Sequence, residues 1–115
     1  MFQITQLDNN PRQEITMLLE DNTRVVFSFE YKPNQMSWFF GVKYGENINY
    51  QNIRLTTAYN LLRAYRNYMP FGLRVDTADT EEPTDLNDFI TGYAKVYLLN
   101  KKDIETVEAN FYAKV

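Results

Sequence analysis

Three stretches near the start of the chain alternate apolar and polar residues with a period of two, which is the signature of strands buried on one face. Over residues 14–20 the apolar set is Ile15, Met17 and Leu19. Over 24–32 it is Val25, Phe27, Phe29 and Tyr31, set against Ser28, Glu30 and Lys32, and over 37–44 it is Trp38, Phe40, Val42 and Tyr44. Asp21-Asn22-Thr23 separates the first two with residues that tolerate the positive φ of tight turns, so they read as a β-hairpin. Lys32-Pro33-Asn34-Gln35 has the chemistry of the next turn, because Pro fixes φ, and the third stretch extends the hairpin into a meander. Gly45-Glu46-Asn47 is a further turn, and residues 48–55 form a fourth strand whose pattern is weakened by Asn49, Gln51 and Asn52.

After Leu55 the period changes. Ala58, Leu61, Leu62, Tyr65 and Met69 recur every three or four residues, with Asn60, Arg63, Arg66 and Asn67 on the other side, which predicts one amphipathic helix over about 58–69. Thr56 or Thr57 can cap it, and Pro70 cannot continue it. Its face of Leu61, Leu62 and Tyr65 is expected to pack on the sheet, with Trp38 turned to the core. Leu73 and Val75 mark a short strand over 72–77, and Tyr93, Val96, Tyr97, Leu98 and Leu99 mark another over 92–100. Phe2 and Ile4 fit a short first strand. In the last segment Ile104, Val107 and Phe111 fit helical spacing, whereas Val107, Ala109, Phe111, Ala113 and Val115 alternate; the longer match predicts a strand at about 107–115. The expected fold is mainly β, a β-rich α+β arrangement. It is an antiparallel sandwich or partly closed barrel of seven to eight strands with one helix against it, forming a single domain over 1–115.

With 115 residues, 44% hydrophobic and 16% aromatic, the chain has enough apolar surface for one core. It contains no His and no Cys, which removes disulfides, thiol chemistry, Cys-based zinc sites and the usual base of Ser and Cys hydrolases. No cofactor is implied. Carboxylate-only chemistry, such as glycoside hydrolysis by two acids, stays formally open through Glu14, Glu20 and Glu30, although an exposed strand face accounts for these residues equally well. The net charge is −3 with scattered Lys and Arg, which disfavours a nucleic-acid partner. No stretch is apolar for about 18 residues, so no membrane span is expected, and no secretory signal is read at the N-terminus.

Residues 76–88 carry Asp76, Asp79, Glu81, Glu82, Asp85 and Asp88 without a Lys or Arg, which predicts an exposed acidic loop, mobile until a partner orders it. Its spacing does not match an EF-hand. Nine Tyr are more than a core of this size takes up easily, and Tyr favours protein interfaces because it joins an apolar body to a polar tip. Tyr50, Tyr59, Tyr68, Tyr93 and Tyr112 are the candidate partner-binding residues.

The order of features carries a resemblance. Asn10-Pro11-Arg12-Gln13 precedes the hairpin, Tyr31 and Trp38-Phe39-Phe40 follow, and Leu55-Thr56-Thr57-Ala58-Tyr59-Asn60-Leu61-Leu62 leads to Phe71-Gly72-Leu73-Arg74-Val75. Asp85-Leu86-Asn87-Asp88-Phe89 then leads into Tyr97-Leu98-Leu99. This order, over roughly 10–100, resembles the small baseplate plug family of contractile phage tails. The resemblance implies a structural virion protein in the central hub of a tail baseplate, with the host cytoplasm as its location during assembly. It implies hub, tube-initiator or tape-measure proteins as partners, homo-oligomers as an option within the particle, and no enzymatic residues. The alternatives are a small phage or bacterial adaptor domain outside the baseplate and, further off, a carboxylate-dependent sugar-active enzyme.

Overall fold

In the computed structural model, which describes residues 1–112, the predicted hairpin and meander form a four-stranded antiparallel sheet. Strands β2 (Arg12–Leu18), β3 (Arg24–Lys32), β4 (Ser37–Tyr44) and β5 (Ile48–Arg54) are neighbours in space as in sequence. The register sets apolar residues opposite one another: Ile15 faces Phe27, Phe29 faces Phe40, and Tyr31 faces Trp38. A slip of one residue would turn this whole set to solvent, so the alternation fixes the pairing. The turns fall where expected, on Asn22 (φ 66°) and Gly45 (φ 63°). In β5, Gln51 and Asn52 together oppose Gly41, a bulge with Asn52 at φ 59°. Gly at position 41 leaves room for the Gln51 carboxamide, which lies across it and accepts from the Ser28 hydroxyl at 3.3 Å; a Cβ there would push this exposed side chain aside.

A second sheet of three strands has the order β1 (Phe2–Gln3), β7 (Ala94–Leu99), β6 (Gly72–Thr77), antiparallel throughout. Ile4, Leu73, Val75 and Val96 join the inner face of the first sheet in one buried cluster. Phe71 meets Phe27 edge-on at 5.9 Å and Tyr44 at 5.3 Å. The expected mainly β fold with one helix therefore holds, as a sandwich of seven strands rather than a closed barrel. Trp38 and Leu62 are fully buried, as expected.

The helix lies elsewhere than predicted. Over 58–69 there is only a 3-10 turn, Arg63–Tyr65. The reason is backbone pairing at a distance: Ala58 exchanges hydrogen bonds with Val75 (3.2 and 3.1 Å), and the Leu61 amide donates to the Leu73 carbonyl at 2.6 Å. The Asn60 side chain accepts from the amides of Leu62 (3.1 Å) and Leu73 (3.2 Å), holding the segment out of helical form. The apolar spacing still found part of the buried side, since Leu62 and Met69 are buried and Leu61 and Tyr65 half-buried, but Asn60, expected on the polar side, is buried too because it serves the two amides.

The strand predicted at about 107–115 is instead a helix, α1 (Lys101–Phe111); residues 113–115 lie outside the described residues. Asn100 and Asp103 cap it reciprocally, each side chain accepting the other's amide. A strand here would also find no edge on β7, which already pairs with β1 and β6.

Residues 78–93 link β6 to β7 and are anchored, not a free acidic loop. Trp38 donates its indole N–H to the Asp85 carbonyl (3.1 Å), and Tyr31 its hydroxyl to Thr84 (2.7 Å). Buried Asp88 accepts the amides of Thr84 (3.0 Å) and Asp85 (2.9 Å). Phe89 packs on Trp38 at 4.7 Å and on Phe29 at 6.2 Å, closing one end of the sandwich. The charges line a connection whose apolar residues, Leu86 and Phe89, hold it down.

Candidate protein–protein interface

The five candidate tyrosines do not form one surface. Tyr68 is the most open, 65% exposed. Tyr50 stacks on Tyr65 at 4.3 Å, and the Tyr93 hydroxyl donates to Asp79, lowering the pKa of that carboxyl and raising that of the phenol. Tyr59 and Tyr112 converge, because α1 brings the end of the chain back beside Tyr59. Phe111 stacks flat on Tyr59 at 3.9 Å, and the Arg63 guanidinium lies 4.1 Å over the Tyr112 ring. Arg63 donates twice to Glu108 (2.9 and 3.2 Å), and Arg66 lies 3.6 Å from the same carboxylate. Arg74 completes the group, 5.1 Å over Tyr59 and 3.3 Å from Asp76. Glu108 raises the pKa of Arg63 through this hydrogen bonding. The sequence reading missed Phe111 and the three arginines; the Ile104–Val107–Phe111 spacing and the Asn100/Asp103 cap were the signals that could have found them.

A second surface was also missed. An open groove of about 700 Å³ runs between the edge of β1 and the β2–β3 hairpin, lined by Met1, Phe2, Met17, Leu18, Leu19, Pro70 and Leu98. Phe2 is 56% and Leu18 61% exposed, too much for two large apolar side chains without a reason. Asp103 sits on its rim, where burial pushes its carboxyl pKa up but the Met1 ammonium at 2.8 Å and the Asn100 amide bring it down below the ordinary value.

Both strands beside the groove have unpaired edges. Tyr31 donates to Pro11 and Leu19 to Thr23, so the odd-numbered residues of β2 bond to β3. Alternation then directs the amides and carbonyls of Glu14, Thr16 and Leu18 outwards. On β1 the Ile4 amide donates to Val96, which leaves the backbone of Gln3 facing out in the same way.

Of the carboxylates weighed for sugar chemistry, Glu20 lines the groove, where it accepts from the Asn100 side chain at 3.2 Å, and the other two lie on another face. Glu14 and Glu30 line a shallow depression on the outer face of the first sheet, and Arg12 lies 3.5 Å from Glu30. Among the described residues no group of three or more His, Cys, Asp or Glu side chains is placed to hold a metal ion, and no helix is long and apolar enough to cross a membrane.

Fold and surface thus define a small two-sheet β-sandwich with an aromatic and basic cluster, an exposed apolar groove and an unpaired strand edge. Residues 1–101 match the family described as the cyanophage baseplate Pam3 plug gp18, and the chain belongs to that family. It is a structural protein of the phage tail baseplate, in agreement with the resemblance read over 10–100. No curated protein matches the chain.

Proposed function

We propose that this protein is a non-catalytic subunit at the centre of the baseplate, where it binds hub, tube-initiator or tape-measure proteins and turns over no substrate. The family match carries the reading. The groove beside β2 supports it, because an extended segment of a neighbour can add to the outward amides of Glu14, Thr16 and Leu18 while its side chains cover Phe2 and Leu18. Exposed Tyr68 adds a further contact point; Tyr50, Tyr59, Tyr93 and Tyr112 contribute through the faces they share with their intramolecular partners. The subunit folds as one domain in the host cytoplasm and enters the particle during assembly, alone or as a small oligomer.

The test is genetic and biochemical. Deleting the gene is expected to leave heads intact while tails or baseplates fail to form, and tagged protein should co-purify with hub and tube-initiator proteins. Thr16→Pro and Leu18→Asp in the virion gene should reduce this association without unfolding the isolated subunit. Normal infectious particles lacking the protein would overturn the proposal and favour an adaptor outside the hub.

A further inference from the structure

The family match ends at residue 101, where α1 begins. The helix therefore lies beyond the matched region, yet it covers a surface built from within it. Ile104, Val107, Glu108 and Phe111 stand at spacings of three, four and seven residues along one face of α1. Opposite them are Tyr59, Arg63, Arg66 and Arg74.

The attachment is slight. Val107 is the one buried residue of α1. What remains is the Glu108 carboxylate between two arginines, the Met1 ammonium on Asp103, the Phe111–Tyr59 stack with Arg74 beside it, Arg63 over the Tyr112 ring, and the half-buried Ile104, all at partly exposed positions. Partly exposed ion pairs hold weakly, and a helix of 11 residues is marginal without its packing. The link to β7 is Asn100 alone, which is also the N-cap, so the chain can hinge there without disturbing the sheet.

The surface below has definite chemistry. With α1 in place, three arginines face Glu108 and Asp76; with α1 away, Asp76 is the one carboxylate among the described residues left paired with any of them. On a chain of net charge −3 this is a local basic and aromatic face. A guanidinium pair fits a carboxylate, and the flat face of Tyr59 fits an aromatic ring.

We propose that the Tyr59–Arg63–Arg66–Arg74 face is a helix-docking site that α1 occupies in cis. The trans occupant is an amphipathic helix of a neighbouring protein that presents a carboxylate and, three residues on, an aromatic ring. The arrangement is a strap: α1 shields the face in the free subunit and yields it during assembly. The first turn of α1, through Lys101 and Asp103, also lines the groove beside β2, but the docking face itself, Tyr59 with the three arginines, lies outside that lining, so the two readings are tested by different residues.

Two experiments on the full chain test it. In hydrogen exchange of the unaltered protein, the amides of residues 104–111 should exchange at least ~100-fold faster than those of β3 and β4, as expected for a separately opening element. Equal protection would make α1 a fixed part of the fold and overturn the proposal. The second uses a labelled peptide of residues 100–112, helix-stapled on its exposed side between positions 102 and 106, in a fluorescence anisotropy titration. It should bind a Glu108→Arg/Phe111→Ala chain at least ~10-fold more tightly than the unaltered chain, because the competing cis helix is then released. Glu108→Gln, a milder release, should give the same direction with a smaller gain. Adding Arg63→Glu to either released chain, or placing Glu108→Lys in the peptide, should abolish binding. Equal binding to released and unaltered chains, binding indifferent to Arg63→Glu, or no binding to any chain would each overturn it.

Discussion

Asn60→Ala removes an acceptor that two buried amides share, and the cost can be worked from the site. Asn60 is 3% exposed, and its Oδ1 takes the amides of Leu62 and Leu73 at 3.1 and 3.2 Å. A buried donor left without a partner costs roughly 1–3 kcal/mol, so the two together reach about 2–6. Against this, the Asn60 Nδ2 is itself buried without a partner, and its removal returns about 1–3 kcal/mol. The net expectation is a loss of about 1–3 kcal/mol. Gly72 supplies a cross-check. A Cβ there would lie 2.6 Å from Oδ1, 2.8 Å from Cγ and 2.9 Å from Nδ2 of Asn60, and all three atoms belong to that one side chain. Gly72→Ala alone should therefore cost about 1–3 kcal/mol by forcing Asn60 off its two amides. In the Asn60→Ala background the obstruction is gone, so the same methyl should be nearly neutral, giving a coupling of at least about 1 kcal/mol. Urea unfolding followed by the emission of Trp38, the one tryptophan and fully buried, reads all four corners of the cycle. Additivity within about 0.5 kcal/mol would refute the Asn60 clamp.

The same assay should show Leu62→Ala costing about 2–5 kcal/mol, since that side chain is fully buried; a loss under about 0.5 would place it at the surface. Asp88→Ala strips the acceptor from the Thr84 and Asp85 amides, so stability should fall by about 1–3 kcal/mol and limited proteolysis should begin cutting within 78–93. Unchanged resistance would show that Phe89 packing and the Trp38 and Tyr31 hydrogen bonds anchor that connection without Asp88. Hydrogen bonds from Arg54 hold the Glu82 carboxyl below its usual value of 4.5, so this pair stabilises above that pH and its contribution disappears as pH falls through the lower folded value. Glu82→Gln should flatten this part of the acid limb, and an unchanged acid limb would assign the loss to other carboxylates.

The strands were legible because alternation is local: each of β2, β3 and β4 carries its own buried face in its own residues. What decided 58–61 is not local. The partner carbonyls belong to Leu73 and Val75, and no periodicity within the segment records that they will be there. For the acidic connection, charge outweighed the two aromatic donors, Trp38 and Tyr31, that fasten it from a distant part of the chain. The end of the chain offered two patterns, and the capping pair at Asn100 and Asp103, not the length of either match, was the feature that discriminated. With α1 misread, nothing in the sequence could place Tyr59 beside Tyr112, whereas the exposure of Tyr68 needed no helix to be foreseen.

The way the sheets end concentrates assembly on one edge. Among the described residues, β6 is covered by the pairing of Ala58 and Leu61, and β5 is broken by the bulge at Gln51 and Asn52. β1 offers only Phe2–Gln3. That leaves β2 as the one regular edge of any length, with Arg12 and Glu14 charged at its start and Thr16 and Leu18 beside the groove. Short, bulged or covered edges are how proteins avoid indiscriminate strand pairing. Arg12 is blunted as well, since its amide is taken by the Asn10 side chain at 3.1 Å. The unguarded part of β2 is therefore the stretch from Glu14 to Leu18, beside exposed Phe2 and Leu18, at a place where backbone hydrogen bonds and apolar burial can act together on one incoming segment.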